Sequence, residues 1–212
     1  IEGALTHTKS TWSGKPFKLE PWQAGSATMD ADGVWNLEGI IRPLFGAMRW
    51  SDHFGRWVRN YNLAWMEVGR KNGKSELVAA LGLYLLIADG EESAEIYSAA
   101  KDRHQAAKVF DVARDMIKLS PILRKELKKG TIQIVDSRKK IIYHPTRSTY
   151  EVVSADAEAQ LGGNPHGILF DEVLNQPNRD LWDSLSQGMG TRPNSLHIGI
   201  TTAGPSRDNF AY

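Results

Sequence analysis

The chain has 212 residues, 41% of them apolar and 24% charged, with a formal net charge of +1; this balance suits a globular domain of ordinary size and excludes a disordered or collagen-like chain. A charge so close to zero gives no overall field to hold nucleic acid, so any such contact has to come from local patches. There is no cysteine, which removes disulfides, thiol nucleophiles and thiolate zinc sites and suits a reducing compartment, and the six histidines show no paired ligand spacing such as His-x-x-x-His.

The opening Ile1-Glu2-Gly3 lacks an initiator Met and the basic and apolar regions of a signal peptide, so the start reads as cut or engineered. Six of the seven tryptophans (Trp12, Trp22, Trp35, Trp50, Trp57 and Trp65) fall in the first 65 residues. That region is rich in glycine and turn residues and has no sustained period of 3.6 or 2. We therefore place a boundary near residue 60, with a small irregular N-terminal lobe over 1–60, whose aromatic residues are expected to pack, and a core over 61–212.

From residue 61 the pattern turns regular. Tyr61 to Val68 reads as a strand, followed by a glycine loop and a helix over Lys74 to Ala88. The apolar stretch Leu77 to Ala88, broken by Gly82, falls short of the roughly 20 residues a bilayer span needs and predicts a buried helix, with no membrane involved. Ala94 to Ala99 predicts a second strand and Asp102 to Leu119 a helix, in which Ala106, Val109, Phe110, Ala113, Met116 and Ile117 recur at helical spacing. Pro121 ends that helix or starts the next turn. Thr131 to Val135 and Lys139 to His144 predict a hairpin around Asp136-Ser137, and Tyr150 to Ser154 a further strand. Gly167 to Phe170 reads as a buried strand, Arg179 to Met189 as a helix and Leu196 to Thr201 as the last strand. Strands and helices in alternation imply an α/β fold with a mainly parallel central sheet flanked by helices.

Two segments carry chemistry. Gly69-Arg70-Lys71-Asn72-Gly73-Lys74-Ser75 lies between a predicted strand and a predicted helix, the setting that a phosphate-binding P-loop requires. Backbone N–H groups of the loop and of the helix N-terminus would face the phosphates of ATP, Lys74 would neutralise the β and γ oxygens, and the Ser75 hydroxyl would coordinate Mg2+. The first position of the usual eight-residue form is Val68 here rather than glycine. Ile168-Leu169-Phe170-Asp171-Glu172 is an apolar strand ending in two acids, as in a Walker B element; Asp171 would hold the Mg2+ shell and Glu172 would orient or deprotonate the attacking water.

The P-loop without its first glycine, Arg70 within it, and the Asp-Glu pair together resemble bacteriophage terminase large subunits of the HK97-like branch, over roughly residues 18 to 204. Lys18-Leu19-Glu20-Pro21-Trp22-Gln23 resembles the adenine-recognition motif of that family, with Gln23 reading the base. Arg70 resembles the P-loop arginine directed at the γ-phosphate. Ile200-Thr201-Thr202-Ala203-Gly204 resembles the coupling motif, with Thr201 and Thr202 sensing the γ-phosphate. The resemblance thus implies an ATP-binding set of Gln23, Gly69, Arg70, Lys71, Asn72, Gly73, Lys74 and Ser75, with Glu172, Lys74 and Arg70 in catalysis. Some relatives carry an arginine just before the glycine that leads into Walker B. Here Gln160-Leu161-Gly162-Gly163 stands in that place, so an arginine acting on a neighbouring subunit would come from elsewhere, with Arg147 and Arg103 the candidates.

The same resemblance implies a P-loop ATPase of the additional-strand type, hydrolysing Mg-ATP to move double-stranded DNA into a procapsid in the host cytoplasm. It also implies a portal ring and a small terminase subunit as partners, a homo-oligomeric ring on the portal, a monomeric isolated domain, and a nuclease domain elsewhere in the intact protein. The basic clusters Arg124-Lys125 with Lys128-Lys129, and Arg138-Lys139-Lys140, read as solvated faces, with DNA contact as the alternative. Two other functions stay open: a helicase-like translocase, which would need a second ATPase lobe, and an assembly module that binds ATP without hydrolysing it, against which Glu172 speaks.

Overall fold

The structure, a computed structural model, describes residues 2–32, 35–100, 102–154, 163–176 and 178–202. Gln160, Leu161 and Gly162, and Ala203 and Gly204 of the coupling motif, lie outside them. The N-terminal region is made of short pieces: helix α1 (Pro21–Ala24), a ribbon of β1 (Ala27–Met29) with β2 (Trp35–Leu37), helix α2 (Ile41–Gly46), and a ribbon of β3 (Met48–Ser51) with β4 (Arg56–Arg59). Two-stranded ribbons are marginal by themselves. Leu5, Phe17 and Leu44 enter the same buried cluster as the main helices.

For the tryptophans whose side chains are described, the expected packing is not met. Trp12, Trp50 and Trp57 are 60%, 52% and 59% exposed, and Trp22 and Trp65 are exposed as well. A two-stranded ribbon has one face to give to the core. On β4 that face carries Val58, so Trp57 and its cross-strand partner Trp50 point the other way.

Beyond the ribbons come β5 (Leu63–Glu67), α3 (Lys74–Ile87), β6 (Glu95–Ala100), α4 (Arg103–Leu119), α5 (Pro121–Lys129), β7 (Ile132–Val135), β8 (Lys140–Tyr143), β9 (Ser148–Ser154), β10 (Pro165–Asp171), α6 (Asp180–Gln187) and β11 (Leu196–Thr201). The seven strands form one sheet in the order β5-β11-β10-β6-β9-β8-β7. The five from β5 to β9 are parallel, and β8 and β7 add antiparallel at one edge. Strand β11 therefore stands between the loop strand β5 and the acid-bearing β10, which is the additional-strand arrangement expected.

Every residue of β10 and β11 is buried, as parallel strands covered on both faces are. The period of two sorts their side chains: Leu169 joins the cluster of α3 and α4, while Ile168 and Phe170 join that of Leu181 and Leu185 on α6. Helix α3 buries Leu77, Val78, Leu81, Leu83, Leu85 and Leu86, so it is apolar all round and has no polar stripe. Gly82 allows its close approach to the sheet, since a Cβ there would meet Leu169 Cδ1 at 2.6 Å. Helix α4 is capped as its sequence suggests, Asp102 accepting from Gln105 N–H at 2.8 Å. Helix α5 is an addition to the sequence reading at Pro121: Ser120 Oγ accepts from Leu123 N–H at 3.1 Å, and Pro121 takes the first helical position, where a missing N–H costs nothing.

At the N-terminal edge of the sheet a buried polar group joins the lobe to the core. Arg59 of β4 pairs with Asp89 and donates to the Asn194 carbonyl, and Asp89 Oδ2 meets His166 Nε2 at 2.6 Å.

Candidate functional site

A parallel sheet gathers the C-terminal ends of its strands along one edge. Strands β5, β11, β10 and β6 end there in Glu67, Thr201, Asp171 and Ala100, and the register sets Thr201 beside Glu67 and Ile200 beside Asp171. The loop over 68–73 leaves β5 and turns into α3 at Gly73, whose φ of 71° is a left-handed conformation that glycine adopts freely. Lys71 takes φ 67° without that freedom, a cost often found in ligand-binding loops.

The loop residues from Gly69 to Gly73 are exposed, while Lys74 and Ser75 are half-buried. Val68 N–H donates to the Thr201 carbonyl at 2.9 Å, fixing the base of the loop to β11. Lys74 Nζ donates to the Val68 carbonyl at 3.1 Å and stands 3.6 Å from Glu172 Oε1. The predicted phosphate-binding cation and the second acid are thus brought together.

Past the end of β10, Glu172 has φ 51° and leads into a tight turn over Val173–Asn175. Leu174 N–H donates to Thr201 Oγ1 at 3.4 Å. Thr201 therefore contacts both flanks of the site, its carbonyl holding the loop and its hydroxyl the segment after the acids. Asp171 is buried, and its carboxyl is pushed up to about 6, first by burial and then by the neighbouring Glu172 charge. A backbone hydrogen bond from Glu172 and the charges of Lys74 and Lys108 act in the other direction.

Other predicted residues stand apart. Gln23 is buried and its Oε1 accepts from Glu20 N–H at 2.8 Å, so its hydrogen bonds, to Glu20 and Ile40, stay within the N-terminal region. Arg70 is exposed and has no ion pair among the described residues. Thr202 is half-buried, and its carbonyl accepts from Thr201 Oγ1 at 3.3 Å. Arg103 opens α4 at the same edge as the loop, whereas Arg147 precedes β9 at the opposite edge, 3.6 Å from Glu92.

Sequence reasoning missed a cleft that Asp102, Gln105 and Asn175 line together with Ala100, Asp171 and Glu172. The helix-capping pattern at Asp102 was legible, but its place beside β10 depends on strand order. It also missed Glu76, in the first turn of α3, which receives His7 Nδ1 at 2.5 Å, Thr8 N–H at 2.9 Å and Thr8 Oγ1 at 3.0 Å. Burial works to raise the Glu76 carboxyl, but the bonds from His7 and Thr8 outweigh it and hold it below its ordinary range. Among the described residues no group of three or more histidines and acids converges on a point, and no helix is long and apolar enough to cross a membrane.

The sequence model of a family described as the terminase large subunit, ATPase domain, matches residues 43–212. The terminase large subunit of Enterobacteria phage HK97 is 32% identical over 144 residues, covering 66% of this chain and 28% of the relative. That of Lactococcus phage p2 is 29% identical over 164 residues, covering 75% and 29%. The chain thus spans less than a third of the length of these relatives. The crystal structure of the HK97 large terminase superposes with a TM-score of 0.66 at 28% identity, covering 88% of this chain and 33% of that one. The ATPase domain of a Thermus phage large terminase shares the fold, with a TM-score of 0.55 at 17% identity over 78% of this chain and 69% of that one.

Proposed function

The chain belongs to the family of phage terminase large-subunit ATPase domains, and on that premise we propose that it hydrolyses Mg-ATP to drive double-stranded DNA into a procapsid. The observation that carries this reading is the position of Lys74, held between the Val68 carbonyl and Glu172 at the mouth of a loop built for phosphates. Backbone N–H groups of Gly69, Arg70, Lys71, Asn72 and Gly73 bind the triphosphate, and Lys74 neutralises its β and γ oxygens, leaving Glu172 as it does so. Glu172 then orients or deprotonates the attacking water, and Arg70, exposed at the surface, turns to the γ-phosphate.

The residues present fit Mg2+. Ser75 offers a hydroxyl and Asp171 a carboxylate, hard oxygen donors that suffice when phosphates and water complete the shell. Two adjacent carboxylates, one pushed up to about 6, with Lys74 as the near cation also favour a divalent ion. When bound, Mg2+ offsets charge on the phosphate oxygens. Thr201 and Thr202 couple the γ-phosphate to β11, supported by the two contacts of Thr201 to the loop and to the segment after the acids. Gln23 reads the adenine; because its oxygen is held by Glu20 N–H, what it offers the base is its amide NH2.

Residues 1–60 act as a lobe carrying the adenine contact and 61–212 as the ATPase core. The intact protein works in the host cytoplasm as a ring on the portal, with the small terminase subunit. Arginine from a neighbour raises the rate in that ring, so the isolated chain is a slow, monomeric ATPase, and it does not cut DNA. The test is release of inorganic phosphate from Mg-ATP by the purified chain. We expect slow release that disappears with Lys74→Ala, and release indifferent to that substitution would overturn the assignment.

A further inference from the structure

We propose that Glu76 is a positioning residue: through His7 and Thr8 it anchors the N-terminal hairpin to the first turn of α3 and so fixes Lys74 and Ser75 for the phosphates of a nucleotide. The inference rests on the nucleotide-site reading above and concerns a segment that precedes residue 43, where the family match begins.

The hairpin is a defined object. Thr6 bridges to Pro16, His7 N–H donates to the Lys15 carbonyl at 2.9 Å, and Phe17 N–H donates to the Leu5 carbonyl at 2.9 Å. Leu5 and Phe17 are buried in the cluster that contains α3, and Ser120 Oγ, at the junction of α4 and α5, donates to the Ala4 carbonyl at 2.5 Å. One end of the hairpin is thus seated on the α4–α5 corner. The other delivers three donors to Glu76, the residue next to Ser75.

A carboxylate in the first turn of a helix favours the same N–H groups that a phosphate needs. Here the three donors from the hairpin engage it and leave those groups to the loop. The loop is exposed and includes left-handed Lys71, so the helix turn that carries Lys74 and Ser75 needs support from beside it. Such support acts first on nucleotide binding, through the whole helix turn, and to a smaller extent on the chemical step through Lys74.

The experiment measures equilibrium binding of a fluorescent ATP analogue with Mg2+, phosphate release and thermal melting on the whole chain. The variants are Glu76→Ala, Glu76→Gln, the pair His7→Ala with Thr8→Ala, all three alanines together, and Lys74→Ala as the site control. We expect Glu76→Ala and the His7/Thr8 pair each to raise Kd and KM by about tenfold, with kcat falling by a smaller factor. The triple variant should be no worse than either, because the residues act as one unit, and Glu76→Gln should recover part of the loss. Unchanged Kd in both Glu76→Ala and the His7/Thr8 pair would overturn the proposal, as would a fall in melting temperature and kcat with KM unmoved. If Lys74→Ala binds nucleotide like the unaltered chain, the site reading fails and this inference with it. If Lys74→Ala loses binding and the other variants do not, the inference alone fails. The His7/Thr8 pair leaves α3 untouched and carries the test should Glu76→Ala not fold.

Discussion

The two edges of the central sheet are made from the same strands and treat charge in opposite ways. At the N-terminal edge buried Arg59 and His166 both bond the enclosed side chain of Asp89. Arg192 there gives its guanidinium to Asn164 O at 2.8 Å, Glu91 Oε1 at 2.8 Å, Glu92 O at 3.1 Å and Ser93 O at 2.7 Å. At the C-terminal edge Lys74 and Glu172 are 3.6 Å apart and Arg70 is exposed. One edge is closed by its own partners; the other keeps its charged groups loosely engaged, as a ligand site must. On the proposed reading, stability and ligand binding are assigned to opposite ends of the same strands.

The largest effect that would sharpen this contrast is on Lys74→Ala. Turnover should fall by about 10³-fold or more, from loss of the charge on the transferring phosphoryl group, while the urea midpoint moves little. A large drop in stability would instead make Lys74 a structural residue. Next, Asp89→Ala strands Arg59 and His166 in the interior and should cost about 3–5 kcal/mol, read from urea unfolding, with nucleotide affinity of the folded chain within about twofold of the original. A change in affinity as large as the change in stability would break the separation of the two edges.

A smaller, pH-dependent effect belongs to His197, at the start of β11. Its ring stacks on Trp182 at 3.8 Å between centroids, its Nδ1 meets Ser186 Oγ at 3.0 Å, and burial pushes its pKa down from 6.5 to about 3. The unfolded chain therefore binds a proton that the folded chain refuses. Stability should fall as pH drops from about 6.5 toward 3, with a slope approaching about 1.4 kcal/mol per pH unit from this group. His197→Gln should flatten the stability profile over that window, and an unaltered profile would show that the histidine is not held neutral. The smallest effect is expected for Gln23→Ala, which removes one amide contact: KM for ATP should rise about 2- to 5-fold with kcat unchanged. A loss matching that of Lys74→Ala would place Gln23 in the chemistry rather than at the base.

Much of this was legible locally. The segment from Gly69 to Ser75 joins β5 to the first turn of α3 as its spacing predicted, Asp171 and Glu172 stand at the end of an apolar strand, and the periodicity of α4 was plain. What escaped were long-range facts. The order that puts β11 between β5 and β10 is set by packing, not by local propensity; the resemblance supplied it as the additional-strand type, but the Lys74–Glu172 contact and the cleft at Gln105 that follow from it had no local signal. The exposed Trp50 and Trp57 escaped because hydrophobicity alone cannot tell the inner face of a ribbon from the outer. Helix α5 is a different case: Pro121 reads as the end of α4 or the start of a turn, whereas Ser120-Pro121 is also a helix-start signal.

Whether Glu172 acts on water while the loop holds the nucleotide is decided by Glu172→Gln. Equilibrium binding of Mg-ATP and single-turnover phosphate release should be measured on the same preparation. The account predicts Kd within a few-fold of the original, since the Lys74–Glu172 pair has to part on binding anyway, together with a loss of phosphate release of about 10²-fold or more. Retained hydrolysis, or loss of binding along with hydrolysis, would contradict it.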